Sequence, residues 1–302
     1  MTEDSRTYGA AGVSLATANA VVERLRAAIE STGATGFGHF AGLYPLDERR
    51  FLAASTDGVG SKLMLQRRAG KLRWGGMDLA AHCINDVLCT GATPLFLLDY
   101  VAAAHIELDQ VAELVEGAAE VCRAAGCMLV GGETAELPGV YRDEELDFAG
   151  TCVGIVDRDD VIDGSRCAPG DAIVGYPSSG LHTNGFSLVR KLVGDDDFDA
   201  ELLLAPHRLY LDDVRALRAT ADVKALAHVT GGGILGNLER VLPDGVRAQI
   251  DWGSWERPRV FEWLADEGVD EDEACRVFNL GIGLCAVVAA APPDALVIGR
   301  LT

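Results

Sequence analysis

The feature that most restricts this chain is one design used four times. An apolar, regularly structured stretch runs into a segment of glycines and small residues that carries a few polar side chains. Backbone N–H groups freed by glycines, often at the start of a helix, form anion sites. A chain that repeats the design four times is organised around a phosphate-bearing ligand, with its loops held on strands and helices.

The first segment is Ser55-Thr56-Asp57-Gly58-Val59-Gly60-Ser61-Lys62. It lacks the G-x-x-x-x-G-K-[ST] spacing of a Walker A loop, yet its chemistry is similar. Asp57 suits Mg²⁺ in company with other carboxylates, and Lys62 suits a phosphate oxygen. A tight turn capped by its Asp is the plainer alternative. Only four of the 26 basic residues are lysines (62, 71, 191 and 224), so a lysine directly after this loop favours function.

The second segment, Gly76 to Asp86, reads as a helix. Asp78, His82, Asn85 and Asp86 fall on one face, opposite Leu79, Cys83, Ile84, Val87 and Leu88. The stripe is either a buried metal or polar site or an ordinary solvated face. The third, Gly131 to Gly139, reads as a loop carrying Glu133 and Glu136, suited to metal ligation or acid–base work or to a solvated turn. The fourth, Ser178-Ser179-Gly180-Leu181-His182-Thr183-Asn184-Gly185, sets five polar side chains before a helix, with His182 able to bind an anion or shuttle a proton.

A further run, Gly231-Gly232-Gly233-Ile234-Leu235-Gly236, satisfies G-x-G-x-x-G. The acidic residue that a dinucleotide fold places about 20 positions on is not cleanly present. The run therefore reads as an anion-binding turn rather than an NAD site.

At 302 residues the chain has room for about two domains. Helical spacing over 17–32, 78–90 and 109–125 alternates with strands at 50–56, 94–104, 127–130 and 148–156. A polar, turn-rich stretch, Asp157 to Gly170, marks the boundary. Alternation then resumes, with strands at 172–176, 225–229 and 246–251, helices at 186–193, 207–221, 234–241 and 257–267, and a final apolar strand region. The expected organisation is an α/β domain over residues 1–165 and an α+β domain over 166–302.

A net charge of −20 argues against nucleic acid and anionic membrane surfaces as partners. The acidic start, MTEDSRTYGA, is unlike a signal peptide, and no apolar run is long enough to span a membrane. Eight cysteines without a C-x-x-C pair read as reduced core residues of a cytoplasmic protein.

Taken together, STDGVGSK, GMDLAAHCIND, GATPLFLLDY, GGETAELPG, SSGLHTNG, HVTGGG and FNLGIG resemble, in order and rough spacing, the phosphoribosylformylglycinamidine cyclo-ligase family, from about Tyr8 onward. DGVG and TGGG alone are shared with a wider ATP-binding superfamily that includes formylglycinamidine synthetase, selenophosphate synthetase, thiamine-monophosphate kinase and a hydrogenase-maturation protein. The resemblance implies an N-terminal α/β domain that contributes strands to a dimeric barrel, and a C-terminal α+β sandwich that binds substrate. It implies a homodimer that uses ATP and Mg²⁺ to close the ring of formylglycinamidine ribonucleotide, a phosphorylated small molecule. The products are aminoimidazole ribonucleotide, ADP and phosphate, in purine biosynthesis.

By the same resemblance Asp57, Asp86 and Glu133 are the metal and ATP ligands, with Gly58, Gly60, Ser61 and Lys62 lining the phosphates. Thr134, Ser179, His182, Asn184 and Thr230-Gly231-Gly232-Gly233 face the substrate, and Asp57, Lys62 and His182 carry the chemistry. Two departures stand out. No carboxylate occurs at Ser14-Leu15-Ala16, and the chain after Ala289 is short, so Asp294 should begin only a turn where the family inserts a helix. The rival readings are another ATP-dependent enzyme of the superfamily, such as a small-molecule kinase, and a non-catalytic nucleotide-binding dimer.

Overall fold

A computed structural model describes residues 6–34 and 38–302. Helix α1 (Leu15–Glu30) starts at Ser14, whose hydroxyl accepts from the Thr17 N–H. There follow β1 (Gly42–Pro45), β2 (Arg50–Gly58), α2 (Lys62–Arg68), α3 (Leu72–Leu88), β3 (Thr93–Ala103), α4 (Leu108–Ala125), β4 (Met128–Glu136) and β5 (Leu146–Asp157). The five strands form one sheet, ordered β1-β2-β5-β3-β4, with β3–β4 parallel and the other pairs antiparallel.

One face of this sheet is covered by α3, and α4 packs on α3 at unusually close range. A Cβ on Gly76 would lie 1.9 Å from the Leu114 carbonyl oxygen, and one on Gly117 would lie 1.9 Å from that of Arg73. Glycine at both positions lets the backbones touch. The helix α3 is buried along nearly its whole length, so its polar residues must find partners inside the protein. The other face of the sheet is open in the single chain: Thr56, Thr151, Leu98 and Tyr100 share it, and Leu98 and Tyr100 are 41% and 36% exposed.

The second half contains β6 (Ala172–Pro177), α5 (Phe186–Val193), α6 (Ala200–Leu203), α7 (Leu211–Thr220), β7 (Val223–His228), α8 (Gly233–Glu239), β8 (Ala248–Ile250), α9 (Arg259–Asp266), α10 (Glu271–Val277), β9 (Ile282–Val288) and β10 (Val297–Leu301). Its sheet, ordered β7-β9-β6-β10-β8, is antiparallel throughout. Strand β9 is buried along its length, as its unbroken apolar run requires. Ile234 and Leu238 of α8 and Val214 and Leu217 of α7 join the core of this sheet, while α5, α9 and α10 pack into a separate apolar cluster that also takes Leu65 from α2.

Three sequence expectations change. Residues 131–136, read as a loop, continue β4, because Gly131–Glu136 pair in register with Leu98–Ala103. The helix expected from His207 begins at Leu211, and the one expected from Asp78 begins at Leu72. Asp294 does lie in a turn, and no helix separates β9 from β10. All eight cysteines are free and seven are buried. Among the described residues no helix is long and apolar enough to cross a membrane.

Candidate active site

The polar stripe of α3 is the spine of the site. Asp78 and Asn85 are fully buried, and His82 and Asp86 are each 6% exposed. Segment 204–210 of the second half lies along it. The His207 N–H donates to Asp78 Oδ1 at 2.7 Å, the Tyr210 N–H donates to Asn85 Oδ1 at 3.0 Å, and Asn85 Nδ2 donates to the Arg208 carbonyl at 2.8 Å. These bonds tie segment 204–210 to α3, and α7 starts after them at Leu211.

Lys62 is held in the same zone. Its ammonium is completely buried, 2.8 Å from Asp78 Oδ2, and donates to the Ala205 carbonyl at 3.0 Å, while Gln66 Nε2 donates to Asp78 Oδ2 at 2.6 Å. Burial pushes the Lys62 pKa down and the Asp78 pKa up, and the ion pair opposes both shifts. The side chain bridges the two halves of the chain rather than extending from the glycine loop.

Beside this ion pair runs a chain of carboxylates and imidazoles. Asp86 accepts from Ser55 Oγ at 3.0 Å and from His228 Nδ1 at 2.7 Å. His228 Nε2 meets His207 Nε2 at 2.8 Å. Thr183 Oγ1 bonds His82 Nδ1 at 2.8 Å, and His82 Nε2 lies 3.7 Å from Asp57 Oδ2. Burial holds His82, His182 and His207 below the ordinary imidazole pKa.

The two carboxylates differ sharply. Burial and the neighbouring Asp86 push the Asp57 pKa up to about 7, against the pull of His82. Burial would raise Asp86 too, but the hydrogen bond and charge of His228 and a bond with the Asp57 carboxyl hold it low. Two acid groups that share a proton near neutrality form a site short of positive charge. Hard oxygen donors of this kind fit Mg²⁺, so the residues present suit the ion that the sequence implies.

Loop 178–185 is braced from behind. Asn279 Nδ2 donates to the Gly180 carbonyl at 2.8 Å, and Ser178 Oγ donates to Asn279 Oδ1 at 3.1 Å. His182 sits at φ +61° with its ring fully buried. Its Nε2 accepts the Ser179 N–H at 3.3 Å, and its Nδ1 has no partner. Gly283 permits this placement, since a Cβ there would lie 2.4 Å from His182 Cε1 and 2.0 Å from the Tyr210 hydroxyl. Asn184 Oδ1 faces Gly231, and its buried Nδ2 is also unpartnered.

The Thr230–Gly233 turn joins β7 to α8 and is tied by Asn237, whose Nδ2 donates to the Gly233 carbonyl at 2.8 Å and to that of Thr230 at 3.2 Å. Among the described residues β7 pairs only with β9, and antiparallel. A dinucleotide fold places its glycine motif after a parallel strand, so the turn is not of that kind.

The structure thus brings together Asp57, Asp86, His182, Asn184 and the Thr230–Gly233 turn. Gly58 and Gly60 stay exposed, Ser61 Oγ lies 3.3 Å from Ser187 Oγ, and the exposed Ser179 donates to the Pro206 carbonyl. Glu133 and Thr134 are not part of the group. Asp57, Gly150, Asp99 and Gly132 form one row across β2, β5, β3 and β4, about 14 Å at three strand spacings. Glu133 pairs with Tyr100 on the open face, so one ion cannot take Asp57, Asp86 and Glu133 of a single chain. His207, His228, Asn237 and Asn279 were not singled out in the sequence. His228 and Asn279 lie inside quoted motifs, whereas His207 follows an unremarkable Ala-Pro.

Residues 38–156 match the N-terminal domain, and residues 168–298 the C-terminal domain, of AIR synthase related protein. The chain belongs to the AIR synthase related family. Within it, the chain is 44% identical over 311 residues to a Synechococcus sp. (strain CC9605) protein named phosphoribosylformylglycinamidine cyclo-ligase, covering 96% of this chain and 90% of that protein. The family fold is shared by thiamine monophosphate kinase from Aquifex aeolicus, with a TM-score of 0.66 at 15% identity, covering 96% of this chain and 95% of that one. It is shared also by the hydrogenase maturation protein HypE of E. coli, with a TM-score of 0.60 at 20% identity over 83% of this chain and 79% of the other. A structure titled as AaThiL complexed with AMPPCP and TMP has a TM-score of 0.69 at 17% identity, covering 92% and 89%. The two AIR synthase related domains correspond to the two sheets, and the candidate site lies where they meet.

Proposed function

We propose that the protein closes the imidazole ring of formylglycinamidine ribonucleotide at the expense of ATP, releasing aminoimidazole ribonucleotide, ADP and phosphate. The observation that carries this reading is the Asp57–Asp86 pair, set between the glycine loops of one domain and the His182 loop and Thr230–Gly233 turn of the other. The name of the 44% identical relative supports the same substrate.

The formamide oxygen is a poor leaving group. Transfer of the γ-phosphoryl group to it makes phosphate the leaving group, and the amidine nitrogen then attacks the carbon. Phosphoryl transfer asks the protein mainly for positioning and charge neutralisation. Asp57 and Asp86 would hold Mg²⁺, which neutralises phosphate charge when bound. Gly58, Gly60 and Ser61 offer backbone N–H groups to the triphosphate, whereas Glu133, on the open face of β4, lies apart from it. Lys62 acts from within, fixing segment 205–207 through Asp78. Ser179, His182 and Asn184, with Thr230–Gly233, are the substrate-side candidates, and Thr134, on the edge strand β4, lies apart from them.

The active species in this reading is a homodimer in the cytoplasm, formed through the open face of the N-terminal sheet. Leu98 and Tyr100 on that face give it an apolar surface to cover. We divide the chain at 165/166, between β5 and β6. Incubation with formylglycinamidine ribonucleotide and Mg-ATP, following ring formation, ADP and free phosphate together, tests the activity. Equal yields of all three are expected. A stable phosphorylated product would make the protein a kinase, and nucleotide binding without turnover would make it a binding protein.

A further inference from the structure

We infer that His182, His207 and His228 form a binding site for one borderline divalent transition ion of the Zn²⁺ or Co²⁺ type, separate from the carboxylate pair proposed for Mg²⁺. One ring nitrogen of each of the three lies within 4.8 Å of the others, and all three residues are buried. Three neutral imidazoles are a donor set for zinc, cobalt, nickel or copper and not for magnesium, which prefers oxygen.

The surroundings are those of a metal site. A ligating histidine ordinarily gives its other ring N–H to a carboxylate, which fixes its tautomer. His228 does this: its Nδ1 donates to Asp86 Oδ1 at 2.7 Å, which leaves the lone pair of Nε2 aimed at His207. Asp86 also supplies a negative charge close to a buried dication. His182 offers the lone pair of Nε2, which now takes the Ser179 N–H at 3.3 Å, while its unpartnered Nδ1 keeps the ring proton. The nearby ammonium of Lys62 is already ion-paired with Asp78.

Binding needs the His182 ring, stacked on that of His207 at 3.9 Å and 24°, to turn and release the Ser179 N–H so that its lone pair meets the other two. Zinc–nitrogen distances of about 2.0–2.1 Å place tetrahedral ligands about 3.3 Å apart, against 2.8 Å between His207 Nε2 and His228 Nε2. The two rings separate slightly, and the proton shared between them moves to His207 Nδ1, which lies 3.4 Å from Thr183 Oγ1. No proton is lost overall. All three ligands belong to the second domain, so the ion would pin segment 204–210 to β7 and to the His182 loop.

The test uses the full chain, stripped with chelator and titrated with Co²⁺ in excess Mg²⁺ and without nucleotide. One equivalent of Co²⁺ with visible d–d bands is expected, and His207→Ala and His182→Ala should each weaken binding at least about 100-fold. X-ray absorption at the zinc edge of the wild-type protein should count three imidazoles, and this reading holds even if a variant fails to fold. Absence of stoichiometric binding, displacement by Mg²⁺, a zinc shell without imidazoles, or full affinity in both folded variants would overturn the proposal. None of these readouts depends on ring closure, so this site and the proposed activity stand or fall separately.

Discussion

Asp86 on α3 and His228 at the end of β7 meet at 2.7 Å, joining a helix of the first domain to a strand of the second. The same carboxylate takes the Ser55 hydroxyl through its other oxygen, Oδ2. A change in the position of one domain relative to the other is therefore felt at the carboxylate pair.

Replacing Asp57 removes one of only two carboxylates at the proposed ion site. Asp57→Asn should lower kcat/KM for cyclisation by roughly 100-fold or more, and raising Mg²⁺ should recover little of it. Steady-state rates across a Mg²⁺ series check this, and near wild-type rates at limiting Mg²⁺ would remove Asp57 from the site.

Asp57 also sets a pH dependence in the Mg²⁺-free protein. An aspartate titrates near about 4 in an unfolded chain, and Asp57 titrates at about 7 in the folded one. Between those values the folded state holds the extra proton, so this group's contribution to stability declines as pH rises through that window. Asp57→Asn abolishes the effect. Thermal unfolding in chelator should show the variant gaining on wild type between pH 5 and pH 8.

Lys62→Met leaves Asp78 as an unpaired buried charge. A loss of about 3–5 kcal/mol is expected in urea unfolding. Lys62→Met combined with Asp78→Leu should recover part of it, although the Gln66 amide and the His207 N–H then lose their acceptor. No change in stability would mean that Lys62 works in solvent at the phosphates.

Gly283→Ala drives a methyl group into the Tyr210 hydroxyl and the His182 ring. Overpacking of this kind costs about 1–3 kcal/mol. Turnover should fall by more than the fraction unfolded explains, as kcat and circular dichroism measured together would show.

Leu98→Asp puts a charge on the open face of the N-terminal sheet, where Leu98 is 41% exposed. Sedimentation at micromolar concentration should find wild type dimeric and the variant monomeric.

Much of this was legible in the sequence. Glycine spacing marked the loops, and the stripe at 78, 82, 85 and 86 marked a polar helix face that the structure buries. Two kinds of information were missing. The lysine after a glycine loop says nothing of direction, and Lys62 turns inward because Asp78, sixteen residues on, is fully buried and needs a counter-charge. The pattern G-G-E-T-A-E looks like a loop because glycine disfavours strands, yet pairing with β3 overrides that local preference. His207 has no local signal at all, since its partners His182 and His228 are adjacent only through the fold.

Strand β10 lies between β6 and β8, inside its sheet rather than at the edge. It is also the last of the ten described strands in chain order. Until it emerges, β8 has no partner and β6 offers a bare edge to any neighbouring nascent chain. The second sheet is therefore completed only after all nine preceding strands have been made, when the first domain already has its five. A late frameshift or premature stop removes an interior strand, and cellular quality control meets a half-built sheet rather than a slightly shorter protein.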